Sequence, residues 1–247
     1  MSTRKLWRKP LASLFKRFYQ LSNGGFSVGS AYGTRMLFDW NHSLDKKVAV
    51  ELYEHRQIDY LCACADRLQP QIFLDIGAHA ALYSLILKKR YPQLEVHAFE
   101  PDRTNLCQLY ANLFVNRLTR DIQVHEHGIS DQAGTASFET SEEHSSRGTR
   151  RISSSGNIQI PIHPLDDVIT ARDTTVLLKL DVEGHEPAAI RGARELLTNN
   201  RCLIQAESAP QEFNKVKDAF ADCGYRHLTT ILSDHFFTNI EDFTPPA

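Results

Sequence analysis

The chain has 247 residues, of which 42% are hydrophobic and 23% are charged. This composition is typical of a globular domain and excludes wholesale disorder, a coiled coil and a collagen-like repeat. No stretch approaches the ~18 uninterrupted apolar residues of a membrane span, and the formal net charge of −2 argues against a general nucleic-acid binder.

The first 38 residues differ in charge from the rest of the chain. They hold seven Lys or Arg and no acidic residue, whereas the remainder holds 21 basic and 30 acidic residues. Leu11, Leu14, Phe15 and Phe18 recur at the spacing of one helical face, and basic residues occupy much of the opposite face. A helix of this kind is typical of an anionic membrane surface, and equally of a contact with the protein's own domain or a partner subunit. We therefore expect a basic, amphipathic extension over residues 1–40, with membrane contact through 1–20, and a second unit over 41–247.

The remainder of the chain is predicted to consist of alternating helices and strands. A helix is predicted over 44–68. Strands are predicted at 72–77, 94–100, 122–128, 176–182 and 202–207, and helices at 81–90, 103–116, 186–198 and 211–223. Two extra strands are expected at 134–140 and 158–163, and a closing antiparallel hairpin at 225–239. This alternation predicts an α/β fold with a mostly parallel sheet covered on both faces.

The five cysteines are an odd number without the spacing of a disulfide framework. Basic residues interrupt the first 20 positions, so no signal-peptide core precedes them. These features indicate a reducing, cytoplasmic location. Cys62 and Cys64 are interpreted as small apolar residues of a helix rather than as metal ligands, because no second cysteine cluster accompanies them.

A Ser-rich stretch over 141–157 is the clearest low-complexity segment. It is either a solvated connection or a loop that contacts a substrate, since long loops in compact domains are often functional. Its Arg147, Arg150 and Arg151 could bind an anionic glycan or a phospholipid-linked sugar through forked hydrogen bonds.

A first group of candidate residues follows the strand predicted at 72–77. Asp75 ends an apolar run, and Gly77 comes at the turn into a helix, where the missing Cβ lets a ligand approach the backbone. Glu100 ends the next strand, 23 residues after Gly77. An acidic residue about 20 residues beyond a glycine turn commonly accepts the two ribose hydroxyls of a nucleoside.

The identity of that nucleoside follows from what the turn lacks. A dinucleotide site needs several glycines and a place for pyrophosphate, but the turn after Asp75 has only Gly77. An adenosine ligand without phosphate fits better, and S-adenosylmethionine, whose sulfonium and ammonium are positive, suits Asp75 and Glu100. A nicotinamide-dependent oxidoreductase remains as the alternative.

A second group follows the strand predicted at 176–182. Asp181, Glu183 and His185 gather at its carboxyl end, where ligands bind in open α/β sheets. Asp181 and Glu183 would point the same way if the strand continued to residue 183. Asp181 or His185 is the favoured general base for a substrate hydroxyl, and Glu207, at the end of the following strand, is the next candidate. A metal held by Asp181 and Glu183 lacks a clear third ligand, so no metal site is predicted.

Several of these motifs resemble the FkbM family of S-adenosylmethionine-dependent methyltransferases. The matching segments are Asp75-Ile76-Gly77-Ala78, Phe99-Glu100-Pro101, Leu165-Asp166-Asp167 and the run Lys179-Leu180-Asp181-Val182-Glu183-Gly184-His185-Glu186. The resemblance covers about residues 70–210 and implies a class I, Rossmann-like methyltransferase fold with a seven-stranded sheet. It further implies O-methylation of hydroxyls, often on glycans, glycolipids or polyketides.

By this resemblance, the cofactor site would comprise Asp75, Gly77, Ala78, His79 and Glu100, with Asp181 and Glu183 at the substrate edge. The best analogues are sugar methyltransferases of nodulation-factor or lipopolysaccharide type. The chain departs from the family at two positions, since the family usually has Asn in place of His79 and a second glycine in place of Ala81. Ala81 therefore keeps a third hypothesis open, a membrane-adapter module without turnover.

Overall fold

The computed structural model describes residues 14–20, 24–140, 151–153 and 155–246. Helix α1 covers 14–20 and is followed by a hairpin of β1 (Phe26–Ala31) and β2 (Thr34–Asp39). The predicted extension therefore contains a β-hairpin besides its helix, and the part of its amphipathic helix before residue 14 lies outside the described residues. Met36, Phe38 and Trp40 are buried in the core, so the hairpin packs against the rest of the protein.

The single helix predicted over 44–68 is two helices, α2 (Ser43–Ala49) and α3 (His55–Leu68). Between them, Glu51 and Glu54 have positive φ angles of 52° and 41°. A left-handed backbone cannot continue an α-helix, so the chain turns there although its apolar pattern runs on.

The remaining elements follow the predicted order with two differences: the single strand predicted at 122–128 is two short strands in different sheets, and a two-residue strand lies within the predicted loop at 141–157. The strands are β3 (Ile72–Ile76), β4 (Glu95–Phe99), β5 (Ile122–His125), β6 (Gly128–Ile129), β7 (Gly134–Glu139), β8 (Arg151–Ile152), β9 (Ile158–His163), β10 (Thr175–Leu180), β11 (Arg201–Glu207), β12 (Arg226–Ile231) and β13 (Asp234–Thr238). The helices are α4 (Leu82–Arg90), α5 (Arg103–Asn116), α6 (Glu186–Arg191), α7 (Arg194–Asn199) and α8 (Phe213–Ala221). The helix predicted over 186–198 is divided at Gly192, where a Cβ would lie 1.9 Å from the carbonyl oxygen of Ser130.

Seven strands form the main sheet in the order β12-β13-β11-β10-β3-β4-β5. β13 runs antiparallel to both of its neighbours, while the other adjacent strands are parallel. The expected mostly parallel, seven-stranded sheet flanked by helices is confirmed, as is the closing hairpin. The carboxyl ends of β3, β4, β10 and β11 therefore meet at one edge, where open α/β sheets bind ligands.

Alternate residues of the central strands enter two separate cores. Phe73 and Leu177 face the core that includes α3, α4, α5 and the β1–β2 hairpin, whereas Leu74 and Leu178 face the core beneath α6, α7 and α8. A smaller sheet, in the order β6-β9-β7-β8, adjoins the binding edge. Across the described part of the chain, no helix has both the length and the apolar character needed to cross a bilayer.

Candidate functional site

The turns that follow β3 and β10 lie against each other. The backbone N–H of Asp181 donates to the carbonyl of Ile76 at 3.0 Å. Gly77 has a φ of 84°, and a Cβ at this position would lie 1.8 Å from the carbonyl oxygen of Asp181. Only glycine fits this contact, which brings the two groups of residues predicted from the sequence to one place.

Glu100 extends from the end of β4 into the same region with only 4% of its surface exposed. Its Oε2 accepts the backbone N–H of His79 and its Oε1 accepts that of Asp102, both at 2.8 Å. Burial raises the pKa of Glu100 to about 7, although these two hydrogen bonds oppose the shift. Because each carboxylate oxygen has a further lone pair, Glu100 can still accept hydrogen bonds from a ligand.

The two departures from the FkbM pattern occupy left-handed backbone positions. His79 has a φ of 48° and Ala81 a φ of 63°. Asn and Gly, the residues that the resemblance leads us to expect at these two positions, tolerate this conformation better than other residues. The turn keeps the left-handed geometry in this chain at the cost of some backbone strain.

Asp75 and Ala78 support this turn from beneath. The Oδ2 atom of Asp75 accepts the backbone N–H of Ser84 at 3.1 Å and its hydroxyl at 2.6 Å, which joins β3 to α4. The N–H groups of Gly77 and Ala78 both donate to the carbonyl of Phe99 at 3.0 Å. Asp75 and Ala78 line a small space of about 40 Å³ beside a larger cavity. We therefore interpret them as residues that position the turn.

The turns enclose a cavity of about 230 Å³, which we call the inner cavity. Its lining includes five acidic residues, Glu54, Glu100, Asp181, Glu183 and Glu207. It also includes apolar and aromatic residues, among them Phe99, Pro101, Ile129, Phe138, Ile152 and Ile160. A lining that combines acidic and apolar side chains suits a ligand that has a cationic part and a flat, weakly polar part.

A second, polar space of about 580 Å³ adjoins it, which we call the outer cavity. Asp181, Glu183 and Glu207 line both cavities and so mark their junction. Ser208, Gln211 and Arg151 line the outer cavity only. Arg151 lies 3.3 Å from Glu139, while Arg147 and Arg150 lie outside the described residues. Bound ligands in the two cavities would therefore meet at these three carboxylates.

A buried lysine holds one of these carboxylates. Lys179 is 3% exposed, and its Nζ lies 2.7 Å from the Oδ2 of Asp181. Burial by itself lowers the pKa of Lys179, but the charges of Asp181 and Glu54 outweigh burial and raise it above the ordinary value. The ammonium also lies 5.0 Å from the centre of the Tyr83 ring. Asp181 is thus fixed by a charged partner below the cavities.

The other junction carboxylates are less tightly held. Glu207, at the end of β11, accepts a hydrogen bond from the Ser233 hydroxyl at 2.9 Å. Burial and the nearby charge of Asp181 raise the pKa of Glu207 to about 8. Burial also raises the pKa of Glu183 to about 7, again with a contribution from Asp181. Both groups have a pKa near neutrality, which suits proton transfer.

The turn after β10 differs from its prediction in two respects. The strand ends at Leu180 and Glu183 has a φ of 52°, so the expectation that Asp181 and Glu183 share one strand face is wrong. The Oε1 atom of Glu186 accepts the N–H groups of Val182 and Gly184 and closes a compact turn instead. That turn still directs Asp181 and Glu183 into the cavities.

The structure does not bring His185 to this site. His185 is at the start of α6, and its Nε2 lies 3.0 Å from the hydroxyl of Ser130. It lines neither the inner nor the outer cavity. Asp166 of the Leu-Asp-Asp motif is also remote, since it accepts the N–H groups of Glu195 and Leu196 and caps α7.

Several residues of the inner cavity were not expected from the sequence. Tyr53 and Glu54 reach it from the connection between α2 and α3, and His127 and Phe138 reach it from the region of the smaller sheet. The Tyr83 hydroxyl donates to the Oε2 of Glu54 at 2.7 Å. No strand-end signal marks these positions in the sequence. Among the residues that the structure describes, no group of three or more His, Cys, Asp or Glu is arranged to hold a metal ion.

Comparison with known proteins gives a consistent result. The family model of the methyltransferase FkbM domain matches residues 75–227. Methyltransferase sdnD of Sordaria araneosa is 30% identical over 94 residues, which are 38% of this chain and 36% of that protein. Hexuronic acid methyltransferase AglP of Haloferax volcanii is 25% identical over 138 residues, which are 55% of each chain. The chain thus spans between about a third and about half of the length of these curated relatives.

The fold has a counterpart among solved structures. The crystal structure of methyltransferase FkbM from Methylobacillus flagellatus matches with a TM-score of 0.51 and 19% sequence identity. The match covers 78% of this chain and 54% of that one. At this identity the likeness shows the shared fold, a class I methyltransferase sheet.

Proposed function

Since the chain belongs to the family of the methyltransferase FkbM domain, we propose that it transfers a methyl group from S-adenosylmethionine to a hydroxyl of a sugar, in a glycan or glycolipid. The observation that supports this proposal most is the junction of the two cavities. Asp181, Glu183 and Glu207 line both, so a methyl donor in one cavity and an acceptor in the other would meet beside groups that can bind a hydroxyl proton.

The inner cavity fits S-adenosylmethionine on the chemistry of its walls. Glu100 has lone pairs available for the two ribose hydroxyls, and the apolar lining residues suit adenine. The acidic lining residues suit the positive sulfonium and ammonium. When bound, S-adenosylmethionine supplies an electrophilic methyl group. The turn residues Gly77 and His79 line this cavity, and the absence of a Cβ at Gly77 lets the backbone come close to a ligand.

Two carboxylates at the junction have different tasks in this proposal. One oxygen of Asp181 is occupied by the buried ammonium of Lys179, so we assign Asp181 to orienting the acceptor hydroxyl. Glu207 is the general base, since it lies on both cavities and has a pKa near 8. It would accept the hydroxyl proton at its carboxylate as the acceptor oxygen bonds to the methyl carbon, while the bond from that carbon to the donor sulfur would break and S-adenosylhomocysteine would leave. His185, which lines neither cavity, has no role in this step.

A sugar acceptor is supported by the outer cavity and by one relative. The outer cavity is lined by carboxylates, serines and Gln211, all of which can bond hydroxyl groups. The relative from Haloferax volcanii is called a hexuronic acid methyltransferase. Among the described residues, Arg151 is the only basic residue that lines this cavity, and its guanidinium could pair with the carboxylate of an acidic sugar.

The test combines binding with identification of the product. Calorimetry with S-adenosylmethionine, S-adenosylhomocysteine and NAD should show binding of the first two only. Labelled S-adenosylmethionine should then methylate the glycan or glycolipid fraction of a strain that lacks this gene, and mass spectrometry should locate the methyl group on a sugar oxygen. Retention of NAD would support the oxidoreductase alternative. Binding without transfer to any fraction would support the adapter alternative, and a methyl group on nitrogen or carbon would contradict the proposal.

A further inference from the structure

Exposed apolar side chains are concentrated near the beginning of the described chain. Nine large hydrophobic residues are exposed in the described parts of the structure, and five of them lie between residues 14 and 28. These are Leu14, Phe15, Phe18, Phe26 and Val28. Leu14 is 66% exposed and Phe18 61%. Scattered exposed hydrophobic residues are ordinary, but a concentration of this kind marks an interaction surface.

Helix α1 is attached to the protein through its other side. The Tyr19 ring stacks on Trp40 with 5.6 Å between the ring centres, and Phe15 approaches the same indole at 6.0 Å. The carbonyl of Tyr19 also accepts the N–H of Gly25 at 3.0 Å. Leu14 and Phe18 are four residues apart and so lie together on one side of the helix. The helix thus has a defined position in which these two side chains remain exposed.

Basic side chains surround the same helix. Lys16 and Arg17 lie on α1, and Lys46 lies on α2. Burial and the adjacent charge of Lys16 lower the pKa of Lys46, although Asp39 and Asp45 oppose the shift. The charge of Lys16 thus disfavours the charged form of Lys46, and an anionic ligand would relieve this repulsion. Seven basic residues and no acid occur in the first 38 positions.

We propose that a docking surface formed by Leu14, Lys16, Arg17, Phe18 and Lys46 binds an anionic lipid bilayer. Apolar side chains beside Lys and Arg are what an interfacial helix needs, because the former enter the headgroup boundary while the latter pair with anionic headgroups. The charge of the rest of the chain agrees with this partner. Beyond residue 38 the chain has 21 basic and 30 acidic residues, so an anionic surface repels the body and attracts α1.

The test is flotation of the full chain with vesicles. Vesicles of phosphatidylcholine with phosphatidylglycerol should bind the protein at low salt at least ~10-fold more tightly than pure phosphatidylcholine, and high salt should remove most of the difference. Lys16→Gln and Arg17→Gln should each weaken binding about fivefold. The double variant Leu14→Ser, Phe18→Ser should weaken it ~10-fold or more.

Two variants elsewhere serve as matched controls. Leu232→Ser removes a side chain that is 73% exposed in the turn between β12 and β13, and Lys217→Gln removes an exposed charge from α8. Neither should change vesicle binding. S-adenosylmethionine affinity should be the same in all variants, because none of these positions lines a cavity. A thermal melt of each variant checks that it is folded.

The proposal is wrong if the full chain does not float with anionic vesicles at low salt, or if the surface and control variants lose binding equally. It is also wrong if the double variant instead changes the sedimentation coefficient of the free protein. In that case the surface is a contact between copies of this chain.

Discussion

The turn after β3 and the turn after β10 build the two sides of one site by different means. In the first turn, Gly77, His79 and Ala81 all have positive φ angles. This turn acts through its backbone conformation, and the absence of a Cβ at Gly77 lets it lie against Asp181. The second turn acts through charged side chains, with Asp181 held by Lys179 and the loop closed by Glu186. Changes in the first turn should therefore affect folding or ligand binding, and changes in the second should affect turnover.

The largest expected effect comes from adding one methyl group to the first turn. In Gly77→Ala the new Cβ would meet the backbone of Asp181 at 1.8 Å. Backbone cannot move aside as a flexible side chain can, so we expect a loss of more than ~4 kcal/mol in the free energy of unfolding. Expression and thermal denaturation measure this effect.

Gly184→Ala is the matched variant in the second turn. Gly184 also has a positive φ, 98°, but its Cβ would meet no atom within 4 Å. The cost should be the backbone strain alone, about 1–3 kcal/mol. Equal losses in the two variants would mean that the contact between the turns does not govern stability.

In the second turn's neighbourhood, Glu207→Gln keeps the shape of the side chain but removes its ability to accept a proton. We expect turnover to fall by ~10²-fold or more, with little change in S-adenosylmethionine affinity. Asp181→Asn should give a smaller loss if Asp181 only orients the acceptor. Glu195→Gln, exposed on α7 and paired with Arg172, lines neither the inner nor the outer cavity, so it is the control for loss of charge and should turn over normally. A Glu207→Gln enzyme with wild-type turnover would return the role of base to Asp181.

The pH profile gives an independent test of the same residue. Burial raises the pKa of Glu207 to about 8, and a carboxyl group accepts a proton only when it is ionised. The value of kcat/KM should therefore rise with pH, reach half of its maximum near pH 8 and level off above it, because this parameter reports the free enzyme. Glu207→Gln should lose the rise centred near pH 8, whereas Glu195→Gln should retain it.

On the cofactor side, Glu100→Gln should weaken S-adenosylmethionine binding by about 1–3 kcal/mol, which is roughly 5- to 150-fold. The reason is the loss of charge-assisted hydrogen bonds to the ribose hydroxyls. Glu95→Gln, at the exposed start of the same strand, is the control and should bind normally. Unchanged affinity in a folded Glu100→Gln protein would remove this residue from the site.

The same contrast explains what could be read from the sequence. Asp75, Gly77, Glu100, Asp181 and Glu207 all lie at or near strand ends, and the order of strands along the chain is enough to bring such positions to one edge. The spacing of apolar residues along the chain also predicted that these strands and helices exist. The mostly parallel sheet could therefore be predicted.

Other features depended on contacts that no local pattern contains. Glu54 enters the cavity from the connection between α2 and α3. The apolar pattern of the sequence continues through this connection, but the backbone there is left-handed and ends the helix. His185 had the right distance along the chain from β10, but the tight turn closed by Glu186 directs it towards Ser130. In both cases the direction of the backbone at one or two residues decided the outcome, and sequence spacing does not report it.

The smallest expected effect isolates the contribution of the left-handed backbone to the free energy of unfolding. Ala81 has a φ of 63° and no exposed surface. In Ala81→Gly, relief of left-handed strain is worth about 1–2 kcal/mol, while the lost buried methyl costs about 0.8 kcal/mol and the entropy of glycine about 0.5–1 kcal/mol, so the free energy of unfolding should change by less than ~1 kcal/mol in either direction. Ala80 is also buried but has no positive φ, so Ala80→Gly has the same two costs without the relief, in total about 1–2 kcal/mol. Urea denaturation should therefore separate two neighbouring Ala→Gly variants by about 1–2 kcal/mol, and Ala81→Gly should bind S-adenosylmethionine at least as well as the unmodified chain. Equal destabilisation of both would show that the backbone at Ala81 is not left-handed in solution, and the first turn would then owe its shape to Gly77 and His79 alone.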